Sequence, residues 1–178
     1  MMKEEGLLKS QQRILEKTAL FYGLPGAEIE GVVSSAGGIL RRYEAGEVLW
    51  HQGEVVASLG IVLHGAVEAM AYSRDGGAEL VAHHGAGQVV GDVLMASHSP
   101  SPVTLVARQD TEMLLLPMEG LYPMMGEVSP SLRQGQRNLN AQIATGYHDA
   151  IRHTDDIIDV LHALHVFDLG DDTHIGTA

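Results

Sequence analysis

The chain has 178 residues, enough for one domain and an appendage, and 45% of them are hydrophobic, enough to bury a core. Eleven Lys and Arg stand against 23 Asp and Glu, for a net charge of −12, which disfavours a phosphate backbone as partner unless the few cations cluster. The absence of cysteine excludes disulfides, thiolate metal sites and cysteine nucleophiles, and no apolar run approaches the length of a membrane span.

The N-terminus, MMKEEGLLKSQQR, is charged and lacks a signal-type apolar stretch, so a cytoplasmic protein is expected. Leu7 to Leu20 carries apolar residues at Leu7, Leu8, Ile14, Leu15 and Ala19, and Ala27 to Ala36 adds Ile29, Val32, Val33 and Ala36. This spacing predicts two helices divided by Pro25-Gly26. Glycines then crowd between Gly46 and Gly91, separating the short segments VLWHQ, SLGIVLH, AVEAMAY and AELVAHH. Short runs punctuated every eight to twelve residues or so by turn signals predict an antiparallel sandwich or barrel. Asp75-Gly76 reads as a two-residue hairpin loop, whose two central positions need positive φ. Gly85-Ala86-Gly87 reads as a second tight turn. A last strand pair is expected over 103–108 and 112–116, closed by Pro117, with a short helical stretch from Met118 to Met125.

From Ser131 to His165 the pattern predicts one long helix, with Ser129 as N-cap and Pro130 at the first helical position. Leu132, Leu139, Ile143, Tyr147, Ala150, Ile157, Leu161 and Leu164 form its apolar stripe, and Ile143, Ala150, Ile157 and Leu164 lie seven apart. Such a stripe fits pairing with the same helix of a second copy, making a homodimer. Its rival is a helix folded back on its own barrel, and Gly135, Gly146 and His153 count against the seam. DLGDDTHIGTA reads as a loose tail. The expected organisation is a sensor-like domain with N-terminal helices over 1–128, the long dimerisation helix over 129–165 and a tail over 166–178.

The order of these motifs carries a resemblance. Tyr43-Glu-Ala-Gly46-Glu-Val-Leu-Trp-His-Gln-Gly53 followed by Ser58-Leu-Gly-Ile-Val-Leu-His-Gly65-Ala-Val67 resembles the opening strands of the Crp–Fnr and cyclic-nucleotide-binding superfamily. Leu20-Phe21-Tyr-Gly-Leu24 looks like its lead-in. Gly85-Ala-Gly87-Gln-Val-Val-Gly91-Asp92 is similar to its Gly-x-Gly-x-x-x-Gly-Glu turn. The match runs from about Leu20 to Leu116. It implies a mainly β fold with flanking helices: a cyclic-nucleotide-binding-type β-jelly-roll (double-stranded β-helix) followed by a long C-terminal dimerisation helix. It also implies a ligand pocket between the barrel and a short helix.

The family holds the ligand's phosphate on backbone N–H groups at that helix start and on one Arg, whose planar fork makes two charge-assisted bonds. Its Glu takes the ribose hydroxyl. By resemblance, Gly91, Asp92, Val93 and Leu94 fall on the Gly-Glu-hydrophobic step, and Pro100, Thr104 and Ala107 match a Pro, a Thr and an Ala. The phosphate Arg then falls on Ser101, and the nearest cation in the chain is Arg108. Loss of that contact costs roughly 2–5 kcal/mol. Gly91, Asp92, Val93, Leu94, Ser101 and Thr104 are therefore candidate ligand residues of a degenerate site. The expected effector, if any, is a small molecule other than cyclic AMP. The bland alternative for Gly91-Asp92 is a turn and helix cap without a ligand role.

Ten histidines raise the question of a metal. His83 and His84 are adjacent and point to opposite faces of a strand. His162 and His165 share a helical face, with His148 and His153 upstream, but a helical pair needs further ligands. A cupin-like metal-binding protein shares the jelly roll, yet its His-x-His is absent. No metal site, no cofactor and no catalytic residue is expected. The segment after His165 is too short for a helix-turn-helix, and Arg133, Arg137 and Arg152 are outnumbered by Asp149, Asp155, Asp156, Asp159, Asp168, Asp171 and Asp172, so this chain alone is not expected to bind DNA. The function expected is a small-molecule-sensing regulatory domain of a Crp–Fnr-type transcriptional regulator. The competing reading is a protein-interaction module that uses the barrel as scaffold.

Overall fold

The computed structural model describes residues 6–91 and 100–127. Two helices lead in, α1 (Lys9–Glu16) and α2 (Gly26–Ala36), and eight strands follow: β1 (Ile39–Tyr43), β2 (Val48–Trp50), β3 (Ser58–His64), β4 (Ala66–Tyr72), β5 (Ala78–Gly85), β6 (Val89–Val90), β7 (Thr104–Ala107) and β8 (Thr111–Pro117). A third helix, α3 (Met118–Glu127), continues from β8. The strands form two four-stranded sheets with orders β1-β8-β3-β6 and β2-β7-β4-β5, all pairings antiparallel. This is the jelly roll the sequence implied. The segments VLWHQ, SLGIVLH, AVEAMAY and AELVAHH supply β2 to β5. The long C-terminal helix, including Leu139, Ile143, Tyr147, Ala150, Ile157, Leu161 and Leu164, lies outside the described residues.

Two apolar layers hold the domain. One lies between the helices and the first sheet, where Leu15, Phe21, Ile29 and Val33 meet Leu59, Ile61, Leu114 and Leu116. The other lies between the sheets and contains Tyr43, Trp50, Val62, Val67, Val90, Leu105 and Met113. Strand β8 serves both: Met113 faces the inter-sheet layer and Leu114 the helices, so its continuous apolar run MLLL is explained by burial on both faces. The helix layer is tight at α2 and α3. A Cβ on Gly120 would lie 2.1 Å from the Ala36 carbonyl oxygen, so only glycine permits this approach.

Two sequence expectations are corrected, the length of the first helix and the size of the β4–β5 loop. The first helix is shorter than 7–20. It stops at Glu16, and the Thr18 hydroxyl donates to the Leu15 carbonyl at 2.7 Å. The turns that follow let Leu20 and Phe21 reach the core, which a continued helix would not place together with Leu15 and Leu24. The second helix ends in a Schellman motif, with Gly37 at φ +77° and Gly38 N–H donating to Val33 O at 2.8 Å. The β4–β5 hairpin exists, but its loop has three residues rather than two. Gly76 N–H donates to Ser73 O at 3.1 Å, Ser73 N–H donates to Gly77 O at 2.9 Å, and Gly76 has φ +89°. That is a type I turn followed by a left-handed glycine, the next commonest hairpin solution. The Gly85–Gly87 turn is as expected, with Gln88 N–H donating to Gly85 O at 3.1 Å and Gly87 at φ +86°.

Candidate functional site

The resemblance puts a ligand between the barrel and a short helix that lies outside the described residues; on the barrel side, the polar groups that border the inter-sheet layer are few. Ser101 lies at the start of the segment leading into β7. Its backbone is fixed by a reciprocal pair with the loop after β2: Gly53 N–H donates to Ser101 O and Ser101 N–H to Glu54 O, both at 2.7 Å. The residue is 2% exposed, and its hydroxyl points at the indole of Trp50, itself 9% exposed. Trp50 Nε1–H donates to Ser101 Oγ at 3.0 Å, and that hydroxyl donates to Val103 O at 2.7 Å. Val103 N–H adds a longer contact to the same oxygen at 3.3 Å. A hydroxyl has one hydrogen to give and two lone pairs. All three are taken by the protein.

Thr104 is 6% exposed and is likewise occupied, its Oγ1 accepting from Gln52 N–H at 2.9 Å. Gly91 follows β6 with φ +82°, a conformation that favours glycine. A Cβ there would lie 3.1 Å from Ser58 O and 3.8 Å from Trp50 Cη2. The structure thus brings Gly91 and Ser101 to two sides of one indole. Asp92, Val93 and Leu94 lie outside the described residues.

Arg108 is tied up elsewhere. Its Nε donates to Glu68 Oε2, and Glu68 Oε1 also faces His83 Nδ1 at 3.6 Å. Glu68 alternates along β4 with buried Val67 and Ala69, so this ion pair sits on the outer face of the sheet, away from the inter-sheet layer. Arg42 pairs with Glu112, which also accepts from Gln11 of α1. Arg41 stacks over the ring of Tyr43 at 4.8 Å. Among the described residues, no lysine or arginine is bonded to Ser101.

The histidine pair divides as the strand period requires. His83 lies across from Glu68, and His84 lies across from Val67 and so faces inward. Burial lowers the His84 pKa below its ordinary 6.5, and the neighbouring His83 adds to the shift. Burial likewise raises the Tyr43 phenol above 10.0, against the opposing pull of Arg41. Among the described residues, no group of three or more His, Asp or Glu is placed to hold a metal ion. No described helix is long and apolar enough to cross a membrane.

Trp50 was not singled out by sequence reasoning. Two signals point to it: it is the chain's one tryptophan, and it ends a strand directly after a Gly-Glu turn.

Residues 40–127 match the family described as Cyclic nucleotide-binding domain, and that segment belongs to it. The architecture is shared with solved structures. The Thermus thermophilus Catabolite Activator Protein is 26% identical with a TM-score of 0.63, over 82% of this chain and 63% of that one. A cyclic nucleotide-binding domain from Methylobacillus flagellatus is 20% identical with a TM-score of 0.66, over 82% and 83% of the two chains. Neighbours of this kind place the fold with the sensor domains of Crp/Fnr regulators. Among curated proteins, Lysophospholipase nte1 of Aspergillus terreus is 31% identical over 98 residues, which are 55% of this chain but 6% of that protein. The chain thus spans a small fraction of the relatives it matches.

Proposed function

We propose that the chain is a regulatory domain of the Crp–Fnr type whose nucleotide site is degenerate, so that neither cyclic AMP nor cyclic GMP is its effector. The observation that carries this reading is the state of Ser101. A cyclic nucleotide brings a phosphodiester charge that a partly buried site must neutralise, and an arginine does so with two charge-assisted bonds. Ser101 offers no charge, and its hydroxyl has no bonding capacity left. Arg108 is held by Glu68 on the opposite face of its sheet. The domain has no catalytic role in this reading: it senses a less anionic small molecule, or transmits a state between partners.

Calorimetric titration with cyclic AMP and with cyclic GMP tests the reading. No saturable heat is expected for either; micromolar binding of one of them overturns it. The seven-residue spacing of Ile143, Ala150, Ile157 and Leu164 supports a homodimer built through residues 129–165. Sedimentation equilibrium of the 178-residue chain should then return twice the mass of one chain, and a monomer at all concentrations would remove the dimer from the proposal.

A further inference from the structure

The indole of Trp50 is buried, yet it is not simply one more apolar filler. It lies toward Gly91, where an added Cβ would stand 3.8 Å from Cη2, and hydrogen-bonds Ser101, the residues that the resemblance places at the anion end of a ligand site. The bond does not stop at Ser101, because the same hydroxyl donates onward to Val103 O. A directional chain therefore runs from β2 through the indole N–H and the serine hydroxyl into the backbone just before β7. Each member is satisfied, which is the condition for a buried polar group to stabilise rather than destabilise.

We infer that Trp50 is a built-in occupant of this pocket end: the protein fills the place of the ligand's charged group with its own side chain. The inference rests on the degenerate-site reading and goes beyond it. A site that merely lacked its arginine would leave a polar hollow, open to water or to a neutral ligand. Here the buried indole lies against Ser101 and its N–H takes one of the hydroxyl's acceptor positions, so this end is occupied by protein before any ligand arrives. An effector able to open it must displace an aromatic ring of like shape and replace one N–H donor. Planar heteroaromatics with a ring N–H, indole the simplest, are the chemical class that fits.

The domain's single tryptophan makes the test direct. In the unmodified chain, emission should be blue-shifted and protected from acrylamide, and cyclic AMP should leave both unchanged. Solvent-like emission with free quenching overturns the inference, whatever the variants do. In Trp50→Ala, indole added to the solution should raise the melting temperature and give a saturable heat that the unmodified chain lacks. A folded Trp50→Ala, checked by circular dichroism, that ignores indole also overturns it.

A second pair of variants separates a ligand-site occupant from an ordinary core residue. Ser101→Arg alone should not gain cyclic AMP binding, because the indole stands in the way of the guanidinium. Trp50→Val together with Ser101→Arg should bind cyclic AMP at least roughly tenfold more tightly than the single variant, about 1.4 kcal/mol. Equal affinity in the two, or none in a folded double variant, counts against the inference. Cyclic AMP binding by the unmodified chain would instead sink the degenerate-site reading first, so the two failures are distinguishable.

Discussion

The two apolar layers of this domain are built from different chemistry. Between the helices and the first sheet, aliphatic side chains and Phe21 pack together, and the buried Thr18 is satisfied by the carbonyl of Leu15 three residues before it. Between the sheets, the layer holds Trp50 and Tyr43, borders on Ser101, Thr104 and the inward face of His84, and its polar atoms bond across elements distant in sequence. The first layer can lose or gain a methyl group and change only stability. The second cannot be altered without changing what its polar atoms are paired with. A ligand site needs the second kind of interior, because hydrogen-bond groups held in a low-dielectric setting give specificity. In this chain those groups are turned on one another.

The largest test of this contrast lies in the helix-facing layer. Leu114 is fully buried there, so Leu114→Ala should cost about 2–5 kcal/mol through lost transfer energy and an unfilled cavity. Urea unfolding should show a lower midpoint with no change in the environment of Trp50. A quenched or red-shifted tryptophan in the native variant would mean the two layers are not separable.

Next in size is the inter-sheet bond itself. Ser101→Ala leaves a buried indole N–H without its acceptor, a cost of about 1–3 kcal/mol. Trp50→Phe removes the donor instead and leaves the serine its bond to Val103. With both substitutions the two losses should fall short of their sum, since the second removes a group already orphaned by the first. Additive losses in a double-mutant cycle would show that the hydrogen bond contributes nothing beyond packing.

The layers also differ in how readable they were from sequence. The helix-facing layer follows a period, with Ile29, Val32, Val33 and Ala36 on one helical face and all four buried, so spacing alone located it. The strands between glycines were legible for the same reason. The end of α1 was not, because Leu20 and Phe21 continue the apolar pattern while the backbone turns beneath them. The hairpin loop was misjudged by one residue: Asp75-Gly76 suits either solution, and ladder register decides between them. Of the candidate site, the order of motifs singled out Ser101 but gave no sign of its partner. Trp50 and Ser101 are 51 residues apart, and neither carries a periodic signal linking it to the other. Arg108 was singled out as the nearest cation in the chain, but its commitment to Glu68 depends on strand alternation and cross-strand register.

A smaller effect comes from His84, a titratable group on the inward face of β5. Burial holds its folded pKa below 6.5, so between the two values the unfolded chain binds the proton and the folded chain does not. Stability therefore rises with pH through this window and falls as the pH drops below 6.5 toward the folded pKa. The urea midpoint should decline from about pH 7.5 to about pH 5.5, and His84→Leu should flatten part of that decline. An unchanged slope in the variant would assign the loss to other groups and place His84 in contact with water.

The smallest expected change tests the outer face against the inner one. Arg108 and Glu68 form an ion pair whose arginine side chain is 58% exposed, and exposed pairs contribute only about 0–1 kcal/mol. Arg108→Ala should therefore leave the melting temperature nearly unmoved and, on the degenerate-site proposal, should not change the response to cyclic AMP. Its value lies in what it does to Glu68, which among the described residues would keep His83 alone as a facing partner. The NMR signals of the His83 ring should move when Glu68 loses its guanidinium partner, while those of Trp50 should not. If the environment of Trp50 also shifted, Arg108 would be coupled to the interior through β7. The sheet would then transmit charge between its faces, and the separation of an inert outer pair from a self-occupied pocket would no longer hold.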